Sequence, residues 1–164
     1  MKKTILTLIL STIIIGVFAQ KAYTLEGSEV KIEKPVLFKT GTAILLPEAD
    51  EALNIIKQYL DDKTYISMLR VEGHTDNSGN SEATQKLSEQ RALAVCIRLR
   101  EWGVDCKRLI AVGFGSNKPV ADNSMPEGKA ENRRISFVNV SIKGKLIGGL
   151  PEDGGGTVAG DPCN

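Results

Sequence analysis

Between residues 34 and 142 the apolar side chains switch repeatedly between strand spacing and helix spacing, which neither an all-helical nor an all-β chain does. Pro35-Val36-Leu37-Phe38 reads as a short strand. Behind Pro47, Ala49, Ala52, Leu53, Ile56 and Leu60 then recur on one helical stripe. Proline suits a first helical turn because its missing N–H has no bond to lose there. Residues 65–73 return to strand character, with Ile66, Met68 and Val71 among the apolar positions. A second helix is expected from Ser81 to Trp102, burying Ala92, Val95, Cys96, Leu99 and Trp102, and Gly103 suits its left-handed cap. Strands at 109–114 and 135–142 complete the series. The order predicts an α/β sandwich of two layers, with two main helices on a mixed four-stranded sheet.

The ends of the chain read differently. Lys2 and Lys3 precede an uncharged, mostly apolar run from Thr4 to Phe18, and Val17 and Ala19 are small residues spaced for cleavage. This layout predicts an export signal over residues 1–19. Its apolar run of about 22 Å as a helix falls short of a bilayer core of about 30 Å. Residues 20–33 read as a lead-in strand or linker, 34–142 as the domain, and 143–164 as a glycine-rich tail. Seven of the last 21 residues are Gly, which predicts mobility because so little apolar surface is available to offset ordering. A formal charge of +1 with 41% hydrophobic residues excludes a disordered chain, and it lacks the basic excess of a nucleic-acid binder.

The residues with chemistry to offer cluster after the second strand. It runs into Gly73-His74-Thr75-Asp76-Asn77-Ser78-Gly79, and open sheets bind ligands at such strand ends. Asp-Asn-Ser-Gly is equally the composition of an ordinary turn. Arg91 lies on the second helix beside its apolar stripe, and Asn132-Arg133-Arg134 precedes the last strand. A single histidine, His74, excludes a multi-histidine metal site, and no cofactor motif is present. Cys96 and Cys106 are disulfide candidates if the 103–105 loop folds back, with a buried free thiol as the alternative for Cys96. Pairing of those two would leave Cys163 odd.

Gly73-His74-Thr75-Asp76-Asn77, Leu87-Ser88-Glu89-Gln90-Arg91-Ala92, Gly113-Phe114-Gly115 and Asn132-Arg133-Arg134-Ile135 together resemble the OmpA-like peptidoglycan-binding domain family. The resemblance covers roughly residues 36–140. It implies an OmpA C-terminal-like fold and a non-catalytic envelope module. Its ligand would be the peptidoglycan stem peptide, chiefly diaminopimelate, with outer-membrane or other envelope proteins as further candidate partners and no nucleic acid.

It also implies that Asp76 and Arg91 hold that residue. The chemistry fits: the free end of diaminopimelate carries an ammonium, which a carboxylate accepts, and a carboxylate, which a guanidinium forks. A few charge-assisted bonds suggest roughly micromolar affinity. The amides of Thr75 and Asp76 are possible extra donors. Phe38 matches the family's first-strand aromatic, as ligand platform or as core. Arg133 would assist the ligand or brace the loop. Thr84 stands where the family usually has Asn, keeping a hydroxyl without the amide. A wall-cleaving enzyme would need a nucleophile–histidine pair or a metal set, neither of which is apparent. The expected location is the periplasm.

Overall fold

The computed structural model describes residues 22–151 and 153–164. The expected export signal at 1–19 lies outside the described residues.

The described residues begin with a hairpin, β1 (Tyr23–Glu26) and β2 (Glu29–Ile32), closed by Gly27 and Ser28 with Gly27 at φ 60°. It continues through α1 (Ala49–Asp62), β3 (Ile66–His74), α2 (Ser81–Glu101) and a 3-10 turn at Cys106–Arg108. Then come β4 (Leu109–Gly115), α3 (Pro126–Asn132), β5 (Ile135–Ile142) and two short pieces, β6 (Lys145–Leu146) and β7 (Thr157–Val158). The sheet runs β1-β2-β5-β3-β4-β7, with β6 paired to β5. β3 and β4 are parallel and the other pairs antiparallel, which makes the mixed sheet predicted from the alternating periods.

Among the described residues seven strands form rather than four. The lead-in segment supplies β1 and β2, whereas residues 35–38 are a loop carrying only a bridge from Phe38 to Leu45. Pro35 has no N–H to give a ladder. The loop instead turns on itself, the Lys39 N–H donating to Ile44 O at 2.9 Å with Gly41 at φ 71°.

Packing explains why both helices sit on one face. The stripe of α1 buries Leu53, Ile56, Tyr59 and Leu60, and α2 buries Ala92, Val95, Cys96 and Leu99. They meet Leu69, Val71 and Ala111 of the sheet in one core. Asn80 caps α2, its side chain accepting from the amides of Glu82 and Ala83, and Gly103 at φ 93° follows the C-cap. α2 comes close enough to the sheet that Gly73 and Gly113 have no room for a methyl group beside Ser88 and Glu89.

The cysteine pairing differs from expectation, and the glycine-rich tail carries contacts that its composition does not announce. β7 pairs with β4, and the Ala159 N–H donates to Ala111 O at 2.9 Å. The disulfide joins Cys106 to Cys163, while Cys96 remains a fully buried free thiol that burial pushes far up in pKa. Cys96 points into the core between the helices and the sheet, where it cannot meet the exposed turn carrying Cys106. That covalent link ties the tail to the turn after α2.

Candidate functional site

β3 ends at His74, and the chain leaves the sheet through Thr75 and Asp76 into the cap of α2. The Asp76 carboxylate is half of a small network. Its Oδ1 accepts the Ser78 N–H at 2.8 Å, and its Oδ2 accepts Arg133 Nη1 at 2.6 Å. Burial works to raise the Asp76 pKa, but the Arg133 and Ser78 hydrogen bonds outweigh it and hold the carboxyl below its usual value. Asp76 therefore stays anionic.

Arg91 is aimed by two contacts. Its Nε donates to Thr42 O at 2.9 Å, and its guanidinium lies 5.0 Å from the centre of the Phe38 ring. Neither Nη group has a hydrogen-bond partner among the described residues. Burial and the nearby Arg133 charge both lower the Arg91 pKa, though a guanidinium stays charged. Arg91, Arg133 and Phe38 line one open cleft of about 370 Å3 that is walled by Val36, Leu37, Thr40 and Gly41. Two like charges facing one cleft favour an anion between them.

Of the residues singled out in the sequence, four are thus brought together: Phe38, Arg91, Arg133 and, through Arg133, Asp76. Asp76 and Arg91 are not paired directly; Arg133 links them. Arg133 braces the loop through Asp76 and also lines the cleft. Thr84 is set apart, in a neighbouring hollow that shares only Gly41 with the first, and its hydroxyl donates to Ser81 O at 3.0 Å. Thr75 differs from expectation. Its amide is already committed to Gly115 O at 2.8 Å, and its buried hydroxyl has no partner. Thr75 is a strand-end residue locked onto β4, with no free amide to offer.

Sequence reasoning missed the 36–42 wall, because its contribution is a backbone turn around Gly41 and a carbonyl at Thr42. The Thr40-Gly41-Thr42 run after an aromatic was the available signal. It also missed α3. Pro126 begins that helix, and Asn132 ends it with its side chain accepting from the amides of Val120 (2.7 Å) and Ala121 (3.1 Å). Asn132 thereby fixes the loop from which Arg133 emerges.

Comparisons with known proteins agree with this architecture. The outer-membrane lipoprotein YfiB of Pseudomonas aeruginosa is 37% identical over 126 residues, covering 76% of this chain and 74% of that protein. The peptidoglycan-binding protein ArfA of Mycobacterium tuberculosis is 36% identical over 104 residues, covering 63% of this chain but only 32% of that protein. Among solved structures, the peptidoglycan-associated lipoprotein of Burkholderia pseudomallei superposes with a TM-score of 0.58 at 30% identity, covering 65% of this chain and 89% of that one. The OmpA family model matches residues 37–133, from the wall of the cleft to the arginine that braces Asp76. More than half of the sequence is matched, and it includes both sides of the site: the chain belongs to the OmpA family.

Proposed function

We propose that the chain is a non-catalytic peptidoglycan-binding module that holds the diaminopimelate residue of the stem peptide and so ties an envelope component to the wall. The observation that carries this is the pair of guanidinium groups, Arg91 and Arg133, facing one cleft beside a single carboxylate, Asp76. That set is complementary to a ligand end bearing one carboxylate and one ammonium.

Arg91 presents its two unpaired Nη groups to the ligand carboxylate, with Phe38 holding the plane of the guanidinium and Thr42 its angle. Asp76 accepts from the ammonium. The Arg133–Asp76 pair does not prevent this. The Arg133 side chain is 47% exposed while Asp76 is 11% exposed, so the Arg133 charge is partly screened and can turn towards a ligand that supplies both charges. Each charge-assisted bond to the ligand is worth about 1.5–3 kcal/mol.

The names of relatives support the reading: one is a peptidoglycan-binding protein and another an outer-membrane lipoprotein. We place the chain on the periplasmic side after export, with outer-membrane or other envelope proteins as partners. No helix of the described residues is long and apolar enough to cross a membrane.

Co-sedimentation with purified sacculi tests the reading. The protein is expected to pellet with the sacculi and to release no soluble fragments on prolonged incubation. Release of fragments would instead identify an enzyme, and protein remaining in the supernatant would refute wall binding.

A further inference from the structure

The face of the sheet opposite the helices is covered by the C-terminal segment. β3 places Arg70, Glu72 and His74 there, all buried, with Arg70 and Glu72 bonded at 2.7 Å and Glu72 3.3 Å from His74 Nε2. The His74 ring stacks on Phe114 of β4 at 5.4 Å. Residues 147–151 and 153–156 cross above them. Arg70 Nη1 donates to Gly149 O at 2.8 Å, Asn117 Nδ2 donates to Gly155 O at 3.1 Å, and Gly156 packs so closely on the Phe114 ring that a methyl group would not fit.

The segment then follows the outer edge of β4. Val158 pairs with Val112, and Arg100 Nη1 donates to Pro162 O and Asn164 O at 2.8 Å each. The Cys106–Cys163 bond closes the wrap across 57 positions.

We propose that the C-terminal segment, residues 147–151 with 153–164, forms a thiol-sensitive clasp that presets the Asp76 loop for its ligand. Two routes lead from the clasp to the loop. The first is the Phe114–His74 stack, two residues from Asp76. The second is the end of β4, where Gly115 O receives the Thr75 amide. Both rest on β4 and Phe114, which the clasp holds from outside.

The disulfide is what makes the clasp stay. β7 is only two residues long, and the segment is rich in glycine, with Ile147, Leu150 and Val158 exposed and only the small Ala159 and Pro162 turned inward. Non-covalent contacts of that kind offset little ordering entropy. The bond is within reach of reductant, since Cys163 is exposed and Cys106 half-buried. A dithiol supplies two electrons and two protons. The S–S bond becomes two thiols, and the dithiol leaves as its own disulfide.

The effect on ligand retention rests on the function proposed above, so the test has an arm independent of ligand. Hydrogen exchange is followed on the whole protein before and after dithiothreitol, and for Cys163→Ser. Reduction is expected to speed exchange at 74–79 and 109–115 while α1 is unchanged, and to weaken soluble muropeptide binding about tenfold. Cys163→Ser is expected to bind at the reduced level and to ignore dithiothreitol. The clasp is overturned if faster exchange is confined to 157–164, or if α1 loosens equally, which would mark general destabilisation. Affinity within twofold between the two states of a binding-competent protein also overturns it. Should neither state bind, the assigned function fails, and the exchange pattern alone decides the clasp.

Discussion

Gly73→Ala is expected to destabilise the fold by about 3 kcal/mol or more, lowering the thermal midpoint by about 10 °C, although it adds one methyl group. The added carbon would overlap the Ser88 carbonyl of α2, with the Ser88 Cα only 3.2 Å away, and neither backbone atom can rotate aside. Ser88 is itself committed, donating to Gln85 O at 2.6 Å and receiving the Gly115 amide at 2.9 Å. The helix must therefore back away from the sheet, opening the core between β3, β4 and α2. Thermal and urea melts followed by circular dichroism measure this. A variant within about 0.5 kcal/mol of the parent would show that the helix and sheet are not in this close contact. The first glycine of the Gly73-His74-Thr75-Asp76 motif is thus required by packing against α2.

The second large effect falls on binding. Arg91→Ala is expected to weaken muropeptide affinity about 100-fold or more while leaving the thermal midpoint nearly unchanged. The variant removes the fork proposed for the ligand carboxylate, together with the cation that Phe38 carries. Arg91→Lys is expected to recover little, because an ammonium cannot fork a carboxylate or keep both the Thr42 bond and the stacked plane. Calorimetric titration of both variants settles it. Full affinity in the Lys variant would mean that a point charge suffices and that the guanidinium geometry is irrelevant.

How much of this was legible in the sequence follows from the range of each interaction. The stripes of α1 and α2, the cap glycine Gly103 and the apolar strands β3, β4 and β5 are written in spacings of two to four residues, and they form as read except at Trp102, which caps α2 and is only half-buried. β1 was obscured because it is an edge strand with Leu25 exposed, so it shows little alternation; the Gly27-Ser28 turn was the cue. The short helix α3 has no apolar stripe, and Gly128 is buried in it where a helix former would be expected. The Cys106–Cys163 bond depends on where the tail is delivered, which no local spacing records.

The site divides in the same way. Asp76 and Arg91 stand in motifs and could be singled out as residues. That Arg133 joins them, that Phe38 carries Arg91, and that the Thr75 amide is already bonded all depend on the 36–42 turn and the start of β5 meeting the end of β3. Those are tertiary placements.

The most direct measurement compares two soluble stem peptides, identical except that the free-end carboxylate of diaminopimelate is either ionised or amidated, titrated against the same protein. The ionised peptide is predicted to bind at roughly micromolar Kd and the amidated one at least tenfold more weakly, since amidation removes the charge that Arg91 and Arg133 face. Equal affinity for the two would contradict the account, because the cleft would then be reading something other than that carboxylate.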